Sequence, residues 1–188
     1  KPISIYNKAK MITERIIVSY SNKINCTIIR PATVCGVSPR MRFDVSVNMM
    51  TYQALKNNEM TVFGGHQTRP NIHMDDLLNI YIFFLKNNKK YNGIFNAGFE
   101  NLKIIEIAKR VQKIIPSKIK IIKNNIDIRD YRVDSSKLLA LGFKPKKNIN
   151  NAIQEILFKY QNSINNVNPK SFSVKWLKKN YKKFFRIN

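Results

Sequence analysis

Two spacing rules alternate along this chain, and the alternation limits its fold more than any other feature. Apolar residues at positions 9, 12, 16, 17 and 20 keep helical spacing across residues 6–20. After a turn at residues 22–25, the run Cys26-Thr-Ile-Ile-Arg30 is a short buried-strand pattern, stopped by Pro31. The exchange then repeats. Residues 36–42 read as a loop, 45–56 as a helix, and 60–63 as a strand closed by Gly64 and Gly65. A helix capped by Asp75 runs to about residue 85, and a strand over residues 93–98 follows. Residues 102–115 form an amphipathic helix stopped by Pro116, and residues 118–123 are β-rich. A short helix starts at Ser135 and stops at Gly142, and residues 150–160 form the last helix of the main body. Strands and helices in this order predict an α/β fold with partly parallel strands.

The chain has 188 residues, 44% of them hydrophobic, enough to bury a core. Its longest apolar stretches, such as residues 77–85, fall far short of a membrane span and are interrupted by Asn79. No signal-peptide pattern is visible at the start. Cys26 and Cys35 sit in apolar segments without metal-ligand spacing, as expected of reduced cysteines in a cytoplasmic protein.

A net charge of +23 raises the question of nucleic acid. Through residue 155 the basic residues are scattered, and no recognition motif accompanies them, so nucleic acid is not the expected partner. Residues 156–188 differ, with eight basic residues and no acid. Pro169 marks a linker before an amphipathic helix over residues 171–187, with Val174, Leu177, Tyr181, Phe184 and Phe185 on one stripe and lysines opposite. Such a helix suits an anionic membrane surface, a partner, or packing on its own domain with a solvated basic face.

The chemistry-bearing pattern is Tyr6-x-x-x-Lys10, followed by Arg30-Pro31-Ala32-Thr33-x-x-Gly36 and by Arg69-Pro-x-x-His73-x-Asp75-Asp76. Tyrosine and lysine four apart share a helix face. An ammonium beside a phenol favours phenolate, so a tyrosine so placed accepts a proton from a hydroxyl as hydride leaves the same carbon. Tyr52 and Lys56 have the same spacing, but only Tyr6 opens a helix that leads through a turn into a strand ending Arg30-Pro31. His73 is expected to be structural. Asp75 and Asp76 are adjacent and cannot oppose one another as an acid/base pair, and no metal-ligand constellation is visible.

In order and spacing over roughly residues 4–160, these motifs resemble the NAD-dependent epimerase/dehydratase family, the extended short-chain dehydrogenases acting on nucleotide sugars. Further elements of the likeness are Thr61-Val-Phe-Gly-Gly, Phe95-Asn96-Ala-Gly98 and Asp127-x-Arg129-Asp-Tyr-Arg-Val-Asp134. The resemblance implies the carboxy-terminal part of a doubly wound Rossmann-type sheet plus a small α/β substrate-binding domain. Residues 1–36 would finish the Rossmann-type domain. Residues 37–160 would be mostly substrate-binding, with returning Rossmann elements, and 161–188 a basic tail.

It also implies Tyr6 as catalytic tyrosine and Lys10 as its partner, both touching NAD or NADP, with Pro31 and Ala32 beside the nicotinamide. Thr33, Asn48, Arg69, Asp127 and Arg129 would bind the nucleotide sugar, Arg69 as the guanidinium fork on the diphosphate. The family's Gly-x-x-Gly-x-x-Gly pyrophosphate loop and upstream Ser or Thr have no counterpart here. The expectation is therefore a fragment inactive alone that an amino-terminal half would complete; the resemblance separately implies a homodimer. The alternative is a non-catalytic nucleotide-sugar-binding remnant or a basic binding module.

Overall fold

The computed structural model describes residues 4–86, 91–124, 127 and 129–185. Helix α1 (Ile5–Ser19) starts where the Ser4 hydroxyl accepts the Asn7 N–H at 3.1 Å. None of its residues is buried. Strand β1 (Thr27–Pro31) follows and pairs in parallel with β5 (Gly93–Ala97), setting Arg30 opposite Asn96 and Pro31 opposite Ala97. Pro31 is the last residue of the strand, where a missing N–H costs no ladder bond.

A second sheet has the order β2 (Thr33–Cys35), β4 (Thr68–His73), β6 (Glu100–Lys103), the first pair parallel and the second antiparallel. A third joins β3 (Glu59–Phe63) to β7 (Lys118–Ile122) in parallel. The architecture is therefore mixed α/β with mostly parallel pairs, as the alternating pattern requires. Strands β2, β4 and β6 were not expected. Pro70 lies within β4, which argues against a strand, yet the Gln67 and Asn71 carbonyls face β6, so Pro70 faces the β2 side, where pairing begins only at Asn71 and its missing N–H costs no ladder bond. Residues 100–103, which the helical spacing places partly in the next helix, form β6 before α4 (Ile104–Ile114) begins.

Three cores hold these pieces together. Helices α2 (Ser46–Asn57), α4 and α6 (Ile149–Tyr160) bury Val47, Met50, Ala54, Ile107, Val111 and Ile153 against Met60 and Val62 of β3. Helix α3 (Met74–Lys86) and the short α5 (Ser136–Ala140) close over Ile72, Phe95 and Ala97. The third core is aromatic: Phe43 lies 5.0 Å from Tyr52, 5.2 Å from Tyr160 and 6.0 Å from Phe172. It fastens the loop before α2 to the chain's last turns. Pro169 therefore does not open a free linker. Pro169–Ser171 is a 3-10 turn whose Ser171 carbonyl accepts the Phe43 N–H, and α7 (Ser173–Phe185) follows it. Arg186 and Ile187, in the expected extent of that helix, lie outside the described residues.

The cap expected of Asp75 is made by another residue. His73 Nδ1 accepts the Asp75 N–H at 3.1 Å, which leaves the ring proton on Nε2, facing Glu155 Oε2 at 3.1 Å. Asp75 instead pairs with Lys147 at 2.7 Å, and Lys147 also meets Glu155 at 2.6 Å. Oxygen and nitrogen atoms of His73, Asp75 and Glu155 lie close enough for a cation, and the Lys147 ammonium already sits against both carboxylates. Asp76 is fully buried and accepts the Lys146 and Lys147 N–H groups at 2.9 and 3.0 Å, tying α3 to the segment before α6. Among the described residues, no helix is long and apolar enough to cross a membrane.

Candidate active site

Two adjoining cavities open where β1, β2 and the loop before α2 meet the segment around Arg129. One, of about 600 Å³, is bordered by Tyr6, Pro31, Ala32, Thr33, Asn48 and Arg129, with Ser38, Arg40, Arg42 and Met74 completing its walls. The other, of about 350 Å³, is bordered by Thr33, Arg69, Asp127 and Arg129, with Asp44, Met49, Phe63 and Gln67. Thr33, Val45, Arg129 and Tyr131 belong to both. Eight of the nine residues singled out from sequence thus line one cavity or the other. Lys10 lines neither; its Nζ lies 5.7 Å from the centre of the Tyr6 ring, one helical turn away.

Local rules set these positions. Gly98 packs directly beneath Ala32, so close that a Cβ there would lie 2.6 Å from the Ala32 Cβ. Ala32 N–H donates to the Ala97 carbonyl at 2.8 Å, and the 31–33 turn is drawn onto the end of β5. Gly36 has φ of 103°, a region that suits glycine, and a side chain there would press on the His73 ring.

Asn48 belongs to this framework. Only 3% exposed, its amide oxygen accepts the Gly36 N–H at 3.0 Å and its amide nitrogen donates to the Arg42 carbonyl at 2.9 Å. The side chain expected on a diphosphate is spent holding the 36–42 loop.

Arg69 is likewise buried and committed. One terminal nitrogen donates to the Thr68 carbonyl at 2.9 Å and also to the Arg129 carbonyl, and the other pairs with Asp127 at 2.9 Å. Asp127 takes the Arg129 guanidinium on both carboxylate oxygens and accepts the Arg129 N–H at 3.1 Å. These bonds to Arg129, then the pair with Arg69, hold the Asp127 carboxyl far below the usual carboxylate range. A carboxylate so occupied serves as a clamp on two arginines more than as an acceptor for a ribose hydroxyl. Arg69 also stands 5.7 Å from the Tyr131 ring.

Among the described residues, four arginines against two aspartates line the two cavities, an excess of two positive charges. Arg42 is paired with Asp44 at 2.9 Å. Arg40, Arg42 and Tyr131 carry no motif signal of their own: Tyr131 lies inside the 127–134 motif, and only the fold brings the 36–42 loop onto the same cavity. The competing Tyr52 and Lys56 pair is real but elsewhere: Lys56 Nζ donates to the Tyr52 hydroxyl at 2.9 Å, and the Tyr52 ring packs in the aromatic core.

Comparison with known proteins decides the family. The model for the NAD dependent epimerase/dehydratase family matches residues 1–98. The chain belongs to that family. A curated relative is the ADP-L-glycero-D-manno-heptose-6-epimerase of Brachyspira hyodysenteriae (strain ATCC 49526 / WA1), 29% identical over 82% of this chain and 53% of its own length. Among solved structures, the UDP-glucuronic acid 4-epimerase of Bacillus cereus, in complex with UDP-glucuronic acid and NAD, superposes with a TM-score of 0.70 at 26% identity, covering 85% of this chain and 55% of that one. The dTDP-glucose 4,6-dehydratase of Bacillus anthracis, in complex with NAD, gives 0.73 at 17% identity over 93% and 56%, a likeness of fold. The chain spans about half the length of the relatives it matches.

For a dinucleotide of the kind this family uses, the residues present fit one end. Tyr6, Pro31 and Ala32 border a single cavity with Lys10 one turn behind, which suits a ribose and nicotinamide.

Proposed function

We propose that this chain is the nucleotide-sugar-binding, tyrosine-bearing portion of a cytoplasmic NAD(P)-dependent epimerase or dehydratase. The carrying observation is that Tyr6 borders the same cavity as Thr33 and Arg129, and that Thr33, Val45, Arg129 and Tyr131 also line the adjoining cavity that holds Arg69. A sugar in the larger cavity would meet the Tyr6 hydroxyl, while its diphosphate would lie toward Arg129 and Arg69, where positive charge is in excess. NAD(P), when bound, supplies the hydride acceptor. Tyr6 would take the hydroxyl proton, and Lys10 would orient Tyr6 and hold the ribose. Asn48 would act at one remove, by keeping Arg40 and Arg42 at the cavity wall.

The other half of the enzyme is expected to lie on α1 and β1. Ile5, Ile12 and Ile16 are exposed on α1 although their spacing is that of a buried face, and among the described residues β1 is paired on one side alone. The relatives' greater length supplies the material. The test is complementation with a cofactor-binding half, alone or as a homodimer: Tyr6→Phe should abolish turnover of a nucleotide sugar, and an unchanged rate would refute the assignment.

One observation favours a second reading, a binding module without catalysis. Tyr6 is 68% exposed, on a helix with no buried residue, a poor setting for tuned acid/base chemistry. Calorimetry separates the two. A module takes up nucleotide sugars and ignores NAD even after complementation, whereas an enzyme half gains NAD binding.

A further inference from the structure

Helix α7 divides its circumference into three arcs. Helical spacing puts Ser173, Trp176 and Asn180 on one arc, and these are its half-buried residues. A second arc carries Val174, Leu177 and Tyr181, at 56%, 50% and 50% exposure. A third carries Lys175, Lys178 and Lys179, all exposed. The helix is fixed at its start, where Val174 N–H donates to Asp44 Oδ2 at 3.1 Å, Phe172 meets Tyr52 at 5.0 Å, and Lys170 lies 5.6 Å from the Trp176 ring.

So the packing that orders α7 leaves its apolar stripe outward, beside the lysines. A helix that merely completed its own domain would turn that stripe inward.

We propose that α7 docks the protein on an anionic lipid bilayer, with Val174, Leu177 and Tyr181 in the headgroup–acyl boundary and the lysines on the phosphates. Charge complementarity selects this occupant. From residue 156 onward the chain has eight basic residues and no acid. A second copy would set lysines against lysines. A nucleic acid would reward the lysines but leave Val174 and Leu177 without a role. An interfacial helix uses both arcs at once, and lysine stems reach past the apolar boundary to the headgroups. Each lysine beside such a surface raises partitioning roughly fivefold. The inference stands apart from the reading of the cavities, because no α7 residue lines them.

The test is flotation of the full chain with vesicles of phosphatidylcholine, with and without phosphatidylglycerol. Binding is expected only with phosphatidylglycerol. K175Q/K178Q should lower partitioning roughly thirtyfold, and Leu177→Asp should abolish it with the circular dichroism spectrum unchanged. The control K109Q/K120Q removes the same charge from exposed sites on α4 and β7 and should lower it less than threefold. Three results would overturn the proposal. They are equal losses for the control and the α7 pair, binding insensitive to Leu177→Asp, or a self-association or RNA affinity that accounts for α7 while vesicles stay unbound.

Discussion

Replacing Asn48 with alanine tests whether this side chain serves the loop or the ligand. Its oxygen holds Gly36 N–H and its nitrogen holds the Arg42 carbonyl, at 3.0 and 2.9 Å; a third contact, to the Gly36 carbonyl, is a marginal 3.5 Å. Each sound hydrogen bond contributes about 1 kcal/mol net, and a buried group left unpaired costs about 1–3 kcal/mol. Because the side chain is buried, water does not replace both partners freely, and the loss comes to roughly 2–4 kcal/mol. For a domain of this size, at about 2–4 °C per kcal/mol, the melting temperature should fall by on the order of 10 °C. Asn48→Asp keeps the acceptor for Gly36 but buries a carboxylate against the Arg42 carbonyl, and should lose at least as much. The assay is thermal and urea unfolding of both variants beside calorimetry with a nucleotide sugar. A melting temperature within about 1 °C of the parent, with nucleotide-sugar affinity lost, would refute the reasoning and return Asn48 to direct ligand contact.

Further expectations follow from the same geometry. Gly98→Ala forces two Cβ atoms toward 2.6 Å, and overpacking of this kind should cost about 1–3 kcal/mol in urea unfolding. Asp76→Ala orphans the Lys146 and Lys147 N–H groups and should cost about 2–5 kcal/mol by the same measurement. The Asp127 carboxyl is held low in the folded state by Arg129 and then Arg69, so its stabilisation is full above the ordinary carboxylate range and is lost as pH falls through and below it. Acid titration of stability should accordingly be shallower for Asp127→Asn than for the parent between neutrality and strong acid. A parallel titration would show that the clamp contributes nothing.

Element order was legible because period and punctuation agreed, as in 60–63 with its paired glycines and 104–114 with its proline stop. What was missed had a physical cause. Strand β4 is polar and carries Pro70, and its identity comes from pairing with β2 and β6, partners distant in sequence. The N-terminal cap of α3 was hidden because a histidine ring, not the neighbouring aspartate, accepts the amide. At the site, motif spacing found the residues around the cavities, but it assigned Asn48 and Asp127 to the ligand. Asn48 is taken by the Gly36 backbone, which folding brings near, and Asp127 by the Arg129 guanidinium two residues along the chain and by the distant Arg69. Arg40 and Tyr131 could not be weighed from sequence, since their shared surroundings depend on a loop and a late segment meeting in space.

In the proposed function, the two cavities form one seat for a nucleotide sugar, with its sugar at Tyr6 and its base beyond Arg69. Photo-crosslinking reads this directly, using one analogue with the reactive group on the sugar and one with it on the base, followed by peptide mapping. The sugar-borne label should fall on Tyr6, Ser38 or Met74, and the base-borne label on Met49, Phe63 or Tyr131. Labels in the opposite order, or both on surfaces away from these cavities, would contradict it.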